Sequence, residues 1–96
     1  MTYAKKIVLQ LPLSSLDALD VFVEECVRDG VSLIAIVGEN ASKIDDIIDE
    51  LVVGDGSDSS RQIVTSFHPN ETVDEVLEFA RNFQREEGQA VQLVKL

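Results

Sequence analysis

The sequence predicts an α/β fold in which four strands alternate with three helices, in the order β-α-β-α-β-α-β. Two observations predict it: short runs of β-branched and aliphatic residues alternate with longer stretches in which apolar residues recur at helical spacing. The chain has 96 residues, of which 45% are hydrophobic and 27% charged, as in an ordinary globular domain. We therefore expect one α/β domain over residues 1–96.

The predicted strands are short apolar runs bounded by turn-forming residues. The second run is apolar on both faces, which is typical of a strand in the middle of a parallel sheet. Pro12 and Pro69 have no backbone N–H, so they should end the first and third strands. The four strands are expected at residues 7–11, 31–37, 62–67 and 90–96.

The predicted helices are amphipathic and begin at capping signals. In a capping box, a hydroxyl and a carboxylate three residues later each bind a backbone N–H. Gly30 and Gly88 are placed to end the first and third helices. The expected boxes pair Ser14 with Asp17, Ser42 with Asp45, and Thr72 with Glu75, with Asn70 as the alternative third cap. The expected buried faces comprise Leu19, Phe22, Val23, Cys26 and Val27, then Ile44, Ile47, Ile48, Leu51 and Val52, and finally Val73, Val76, Leu77, Ala80 and Phe83.

Helical connections return the chain to start each strand in the same direction, so the sheet should be parallel, with right-handed crossovers. The strand order 3-2-1-4 is preferred, because it places the more polar third and fourth strands at the edges. The order 2-1-3-4 is the alternative. Either order gives a three-layer sandwich that resembles half of a doubly wound fold, Rossmann-like or flavodoxin-like in its pattern.

Ligands of open α/β sheets bind outside the carboxyl ends of the strands, where three predicted loops converge. His68 could act there as a general base, with Glu39 as its carboxylate partner and Ser66 or Ser14 as a nucleophile. A polar loop residue beside a turn proline is the simpler interpretation of His68. The candidate ligand-binding residues are Ser14, Glu39, Asn40, Ser66 and His68.

The sequence offers few other reactive groups. It contains no glycine-rich phosphate loop, and carboxylates in the first turns of the helices should repel anions. Cys26 lies on a buried helical stripe and is expected to be an inert core thiol. Asp55 and Asp58 resemble a calcium loop only faintly, because its glycine and closing glutamate are missing. We expect no cofactor, no metal site and no catalytic residue.

The net charge of −10 argues against nucleic acids and anionic membranes as partners. The charge is concentrated in residues 31–60, which hold seven acids and one lysine, a net charge of −6. A solvated helix face would explain this pattern, and a docking surface for a basic protein is the alternative. The candidate partner-binding residues are Asp46, Asp49 and Glu50.

These features favour a small cytoplasmic protein-interaction or regulatory module without catalytic activity. A small-molecule-binding domain or enzyme with a site at the carboxyl ends of the strands is the alternative function. The single cysteine and the short apolar runs fit a protein of the reducing cytoplasm, outside the membrane. The last strand could also pair two copies of the chain, because Val91, Leu93, Val94 and Leu96 make it apolar.

Overall fold

The computed structural model describes residues 2–83 and 90–96, which form four strands and three helices. They follow the predicted alternation: β1 (Lys6–Gln10), α1 (Asp17–Asp29), β2 (Leu33–Val37), α2 (Ala41–Val53), β3 (Val64–His68), α3 (Val73–Asn82) and β4 (Val91–Lys95).

The strands form one parallel sheet in the order β3-β2-β1-β4. The preferred order is therefore confirmed, and the alternative 2-1-3-4 is wrong. β2 lies inside the sheet with all five of its residues buried, as its uninterrupted apolar run predicts. In the register, Val8 of β1 lies opposite Ala35 of β2 and Leu93 of β4.

The helices cover the two faces of the sheet unequally. α1 and α2 pack on one face, over Ile7, Leu9, Ile34 and Ile36. α3 packs alone on the other face, over β1, β2 and β4. Because α3 covers β3 only at its carboxyl end, where Phe79 lies against His68, the α3 side of this edge strand is incompletely covered, and Val64 is 47% exposed there.

Only one of the three expected capping boxes forms. The Thr72 hydroxyl accepts from the Glu75 N–H, and the Glu75 carboxylate accepts from the Thr72 N–H, so this prediction is confirmed. The Ser14 box is wrong, because α1 begins only after Leu16 and Ser15 accepts from the Asp17 N–H instead.

The Ser42 box is also wrong, because α2 begins two residues too early for it. Asn40 is the N-cap residue, in a left-handed conformation with φ of 68°, and it makes no side-chain cap bond. Ser42 therefore lies inside the helix. Asp45, which the box and the helical pattern place in solvent, is buried, with 7% of its surface exposed.

Two glycines are predicted to end helices; the structure confirms the first and does not describe the second. Gly30 ends α1 in the predicted left-handed conformation, with φ of 73°. α3 ends at Asn82, and the predicted stop at Gly88 lies outside the described residues. No helix within residues 2–83 and 90–96 is long and apolar enough to cross a membrane.

Candidate functional site

Two of the predicted site residues come together at the carboxyl end of β3. Ser66 and His68 are two residues apart on the strand, so their side chains lie on the same face of the sheet. Ser66 Oγ is 2.9 Å from His68 Nε2, and Glu71 Oε1 is 3.0 Å from His68 Nδ1. With its proton on Nδ1, the imidazole donates to Glu71 and accepts from Ser66.

The expected partnership of His68 with Glu39 is wrong. β3 continues to His68, one residue beyond the predicted strand, and Pro69 turns the chain so that Glu71 faces the imidazole. The signal for this pair was the spacing of three residues across a turn proline, which brings the two side chains together.

The imidazole is enclosed by α3. His68 is 7% exposed, and the Phe79 ring lies over it with ring centroids 4.8 Å apart and planes at 57°. The order of hydroxyl, imidazole and carboxylate is that of a nucleophile, its base and an orienting acid. The same bonds also fix the connection between β3 and α3, since all three polar groups lie within six residues of chain.

The other three predicted ligand-binding residues do not join this array. Ser14, Glu39 and Asn40 are exposed, and their side chains make no hydrogen bond with another described residue. The backbone N–H of Ser14 donates to the Leu96 carbonyl, which ties the loop after β1 to the end of β4. The side chains of these three residues are therefore not hydrogen-bonded to the Ser66, His68 and Glu71 side chains.

Metal ligands are not assembled in the described part of the chain, where no group of three or more His, Cys, Asp or Glu residues could hold an ion. The faint calcium-like loop has a local explanation. Asp55 accepts from the backbone and hydroxyl of Ser57, and Asp58 accepts likewise from Ser60. These hydrogen bonds lower the pKa of both carboxyls and occupy one oxygen, Oδ1, of each within the turns.

The predicted partner-binding residues form an exposed acidic surface on α2. The side chains are all exposed, and we call this surface of Asp46, Asp49 and Glu50 the acidic flank. Asp49 accepts from the Thr65 hydroxyl of β3 at 2.7 Å, so the flank runs alongside the edge strand of the sheet. Val53, one further turn along α2, is 56% exposed and adds an apolar position to the same side.

A shallow depression continues this surface at the start of β3. It has a volume of about 470 Å³, and its walls include Asp49, Val53, Ile63 and Val64. Arg61 also lines it, but the guanidinium is already bound to the Glu24 carboxylate at 2.6 and 3.0 Å. The guanidinium also donates to the carbonyls of Leu51 and Val52 near the end of α2. Arg61 therefore holds the helix end and does not pair with the carboxylates of the acidic flank.

Two contributors to this surface were missed by sequence reasoning. Thr65 joins the acidic flank to the sheet, and Arg61 bridges α1 and the end of α2. Both contacts join residues at least nine positions apart, so no local spacing in the sequence could indicate them.

The fold and this surface together define a small parallel α/β domain with an acidic helix beside an edge strand. The chain belongs to the family described as a domain of unknown function, DUF7684, whose model matches residues 6–96. No curated protein and no solved structure matches the chain.

Proposed function

We propose that this domain is a protein-interaction module without catalytic activity, and that its acidic flank binds a basic segment of a partner protein. The observation that carries this proposal is the placement of Asp46, Asp49 and Glu50 on one exposed helix surface. Charges at the rim of an interface raise the association rate and select the partner, which fits exposed carboxylates of this kind.

Apolar contacts would supply the affinity that rim charges alone do not. Val53 and Val64 are 56% and 47% exposed and both line the depression beside Asp49. Protein interfaces commonly combine such an apolar centre with a charged border. A partner segment that carries both lysine or arginine and aliphatic residues would complement this surface.

We place the module in the cytoplasm and regard its pattern as half of a Rossmann-like fold. The buried free thiol of Cys26 fits a reducing compartment. Pairing of two copies through β4 stays a prediction; Leu93 is 43% exposed and available for such a contact, whereas Val94 is buried.

Charge reversal combined with affinity purification tests the proposal. The triple variant Asp46→Lys, Asp49→Lys and Glu50→Lys should lose a bound protein that the wild-type domain retains. The matched control reverses three exposed acids on the other helices, Asp17, Asp20 and Glu78, and should retain that protein. The purified pair should then dissociate as salt concentration rises, because salt screens surface charges. Equal recovery with all three baits would contradict the proposal.

The alternative function is acyl transfer at the Ser66–His68–Glu71 array. Its support is the pair of hydrogen bonds at 2.9 and 3.0 Å, which would let His68 take the proton of Ser66. A fluorophosphonate probe would then add covalently to Ser66, and mass spectrometry would locate the adduct. Absence of labelling in the wild-type domain, or equal labelling of Ser66→Ala, would exclude this function.

A further inference from the structure

β3 has an outer edge at which backbone groups point away from the sheet. The Val64 N–H donates to the Ser32 carbonyl, and the His68 carbonyl accepts from the Gly38 N–H, so both residues direct their backbone toward β2. In a parallel strand, the backbone groups of alternate residues point to opposite sides. The N–H and carbonyl groups of Thr65 and Phe67 therefore point outward, where no described strand pairs with them.

The two flanks of this open edge differ in chemistry. On the α2 side lie Asp46 and Asp49, and the Thr65–Asp49 hydrogen bond shows how closely the acids approach the edge. On the α3 side lie the apolar side chains of Val64 and Phe79, which are 47% and 37% exposed. Phe67 faces the α2 side as well and is 49% exposed, so an added strand would meet acids and one aromatic ring on that side and mainly Val64 and Phe79 on the other.

We infer that the outer edge of β3 accepts an additional strand from a basic partner protein, which deepens and rests on the proposed function. Backbone groups of the incoming strand would pair with Thr65 and Phe67, as in other complexes formed by strand addition. Because side chains alternate across a strand, lysine or arginine residues would face the acidic flank. The aliphatic residues between them would face Val64 and Phe79.

Charge selects this occupant over a second copy of the chain. Residues 31–60 carry a net charge of −6, and β3 itself contains no lysine or arginine. A second β3 edge would bring its own acidic flank against the first, and like charges in close opposition are destabilising. A basic extended segment meets the opposite charge at the same positions.

The test uses a fluorescent peptide of about eight residues in which lysine and valine alternate, a length typical of a short strand. Binding is measured by anisotropy, and amide hydrogen exchange is followed by NMR. On binding, the amides of Thr65 and Phe67 should become protected from exchange. Two further peptides are N-methylated, one at its valine positions and one at its lysine positions. The peptide whose methylated amides face the edge of β3 should bind about tenfold more weakly, because it loses backbone donors.

Phe67→Pro and Phe67→Val form the matched pair of variants. Both remove the aromatic ring, but only proline removes the outward N–H, so Phe67→Pro should weaken peptide binding about tenfold relative to Phe67→Val. The lost N–H does not pair with β2, so both variants should fold, as checked by circular dichroism. If Phe67→Pro does not fold, the N-methylated peptides still decide the question.

Each outcome separates strand addition from the proposed function. If charge reversal of the acidic flank abolishes binding while Phe67→Pro and N-methylation have no effect, strand addition is overturned and the acidic docking surface stands. If none of these changes affects binding, both ideas fail. If Thr65 and Phe67 are protected without peptide and light scattering shows a dimer, a second copy occupies the edge and the inference is overturned.

Discussion

The Thr65 hydroxyl of β3 donates to the Asp49 carboxylate of α2 at 2.7 Å, which connects the edge strand to the acidic flank. One turn earlier in α2, Asp45 is buried, and its Oδ1 has no hydrogen-bond partner among the described residues. Burial raises the pKa of Asp45, with the neighbouring carboxylates of Asp49 and Asp46 adding to the shift and the nearby Thr65 hydroxyl opposing it. Two acids one turn apart on the same helix therefore have different surroundings, one exposed and hydrogen-bonded and the other buried with an unpaired oxygen.

Replacing Asp45 by asparagine should stabilise the domain by about 1 kcal/mol at pH 7, because the variant no longer buries an uncompensated charge. The stability difference is measured by urea unfolding. The native pKa of Asp45 lies above its unfolded value, so the native state takes up a proton first as the pH falls. The destabilising contribution of Asp45 is therefore present at neutral pH and disappears as the pH falls through the native pKa.

The matched control for this prediction is Asp46→Asn, on the exposed side of the same helix. It should change stability by less than about 0.5 kcal/mol, as surface substitutions commonly do. A loss of stability in Asp45→Asn at pH 7 would show instead that the carboxylate makes a favourable contact in the folded state.

The three serine or threonine positions with capping-box spacing should respond differently to alanine. Thr72→Ala should cost about 1 kcal/mol, because it removes the bond to the Glu75 N–H at the start of α3. Ser14→Ala should change stability by less than about 0.5 kcal/mol. Ser42→Ala should stabilise α2 slightly, by up to about 0.5 kcal/mol, since alanine is the better residue inside a helix. Equal losses in all three variants would contradict the cap assignments.

The Cys26 thiol should be unreactive in the folded protein. Burial, with the charges of Asp29 and Glu25 adding to its effect, raises the pKa of Cys26 to about 12, so almost no thiolate is present at pH 8. Iodoacetamide should modify it only after unfolding in urea, as followed by mass spectrometry. A thiol introduced by Val21→Cys, at a position 63% exposed, should react at least about a hundredfold faster in the same domain made with Cys26→Ala.

Lys6 should contribute more to stability than its neighbour Lys5. Its side chain is 1% exposed, and its ammonium donates to the Phe83 carbonyl just after α3. Lys6→Met keeps the apolar stem but loses this charged donor, so it should cost about 1–2 kcal/mol in urea unfolding. Lys5→Met removes only an exposed bond to the Gly30 carbonyl and should cost less than about 0.5 kcal/mol. Equal costs would argue against a structural role for the Lys6 ammonium.

The fold could be predicted because its determinants are local or compositional. The apolar run of Leu33–Val37 favoured burial on both faces, and the more polar β3 favoured an edge, so the two runs together favoured the order that the sheet has. The stripe of Leu19, Phe22, Val23 and Cys26 placed one face of α1 in the core without any tertiary information.

The candidate site depended on details that spacing does not determine. Ser42 and Asp45 have the spacing of a capping box, yet α2 begins at Ala41, and Asp45 lies on the same helical stripe as the buried Ala41, Ile48 and Val52. Likewise, Glu39 and Glu71 both lie near a strand end, but only the turn after Pro69 brings a carboxylate to His68. The helical stripe in the first case and the local turn after Pro69 in the second determined where each carboxylate lies.

The carboxylates of the acidic flank have a consequence for solubility. An open strand edge is a site at which copies of one protein associate into insoluble aggregates, and charged side chains beside it prevent this by mutual repulsion. The net charge of the whole chain, and with it the overall repulsion between copies, vanishes near its isoelectric point of about 4.3. We therefore expect precipitation in acid to begin at the same edge that would receive a partner strand at neutral pH.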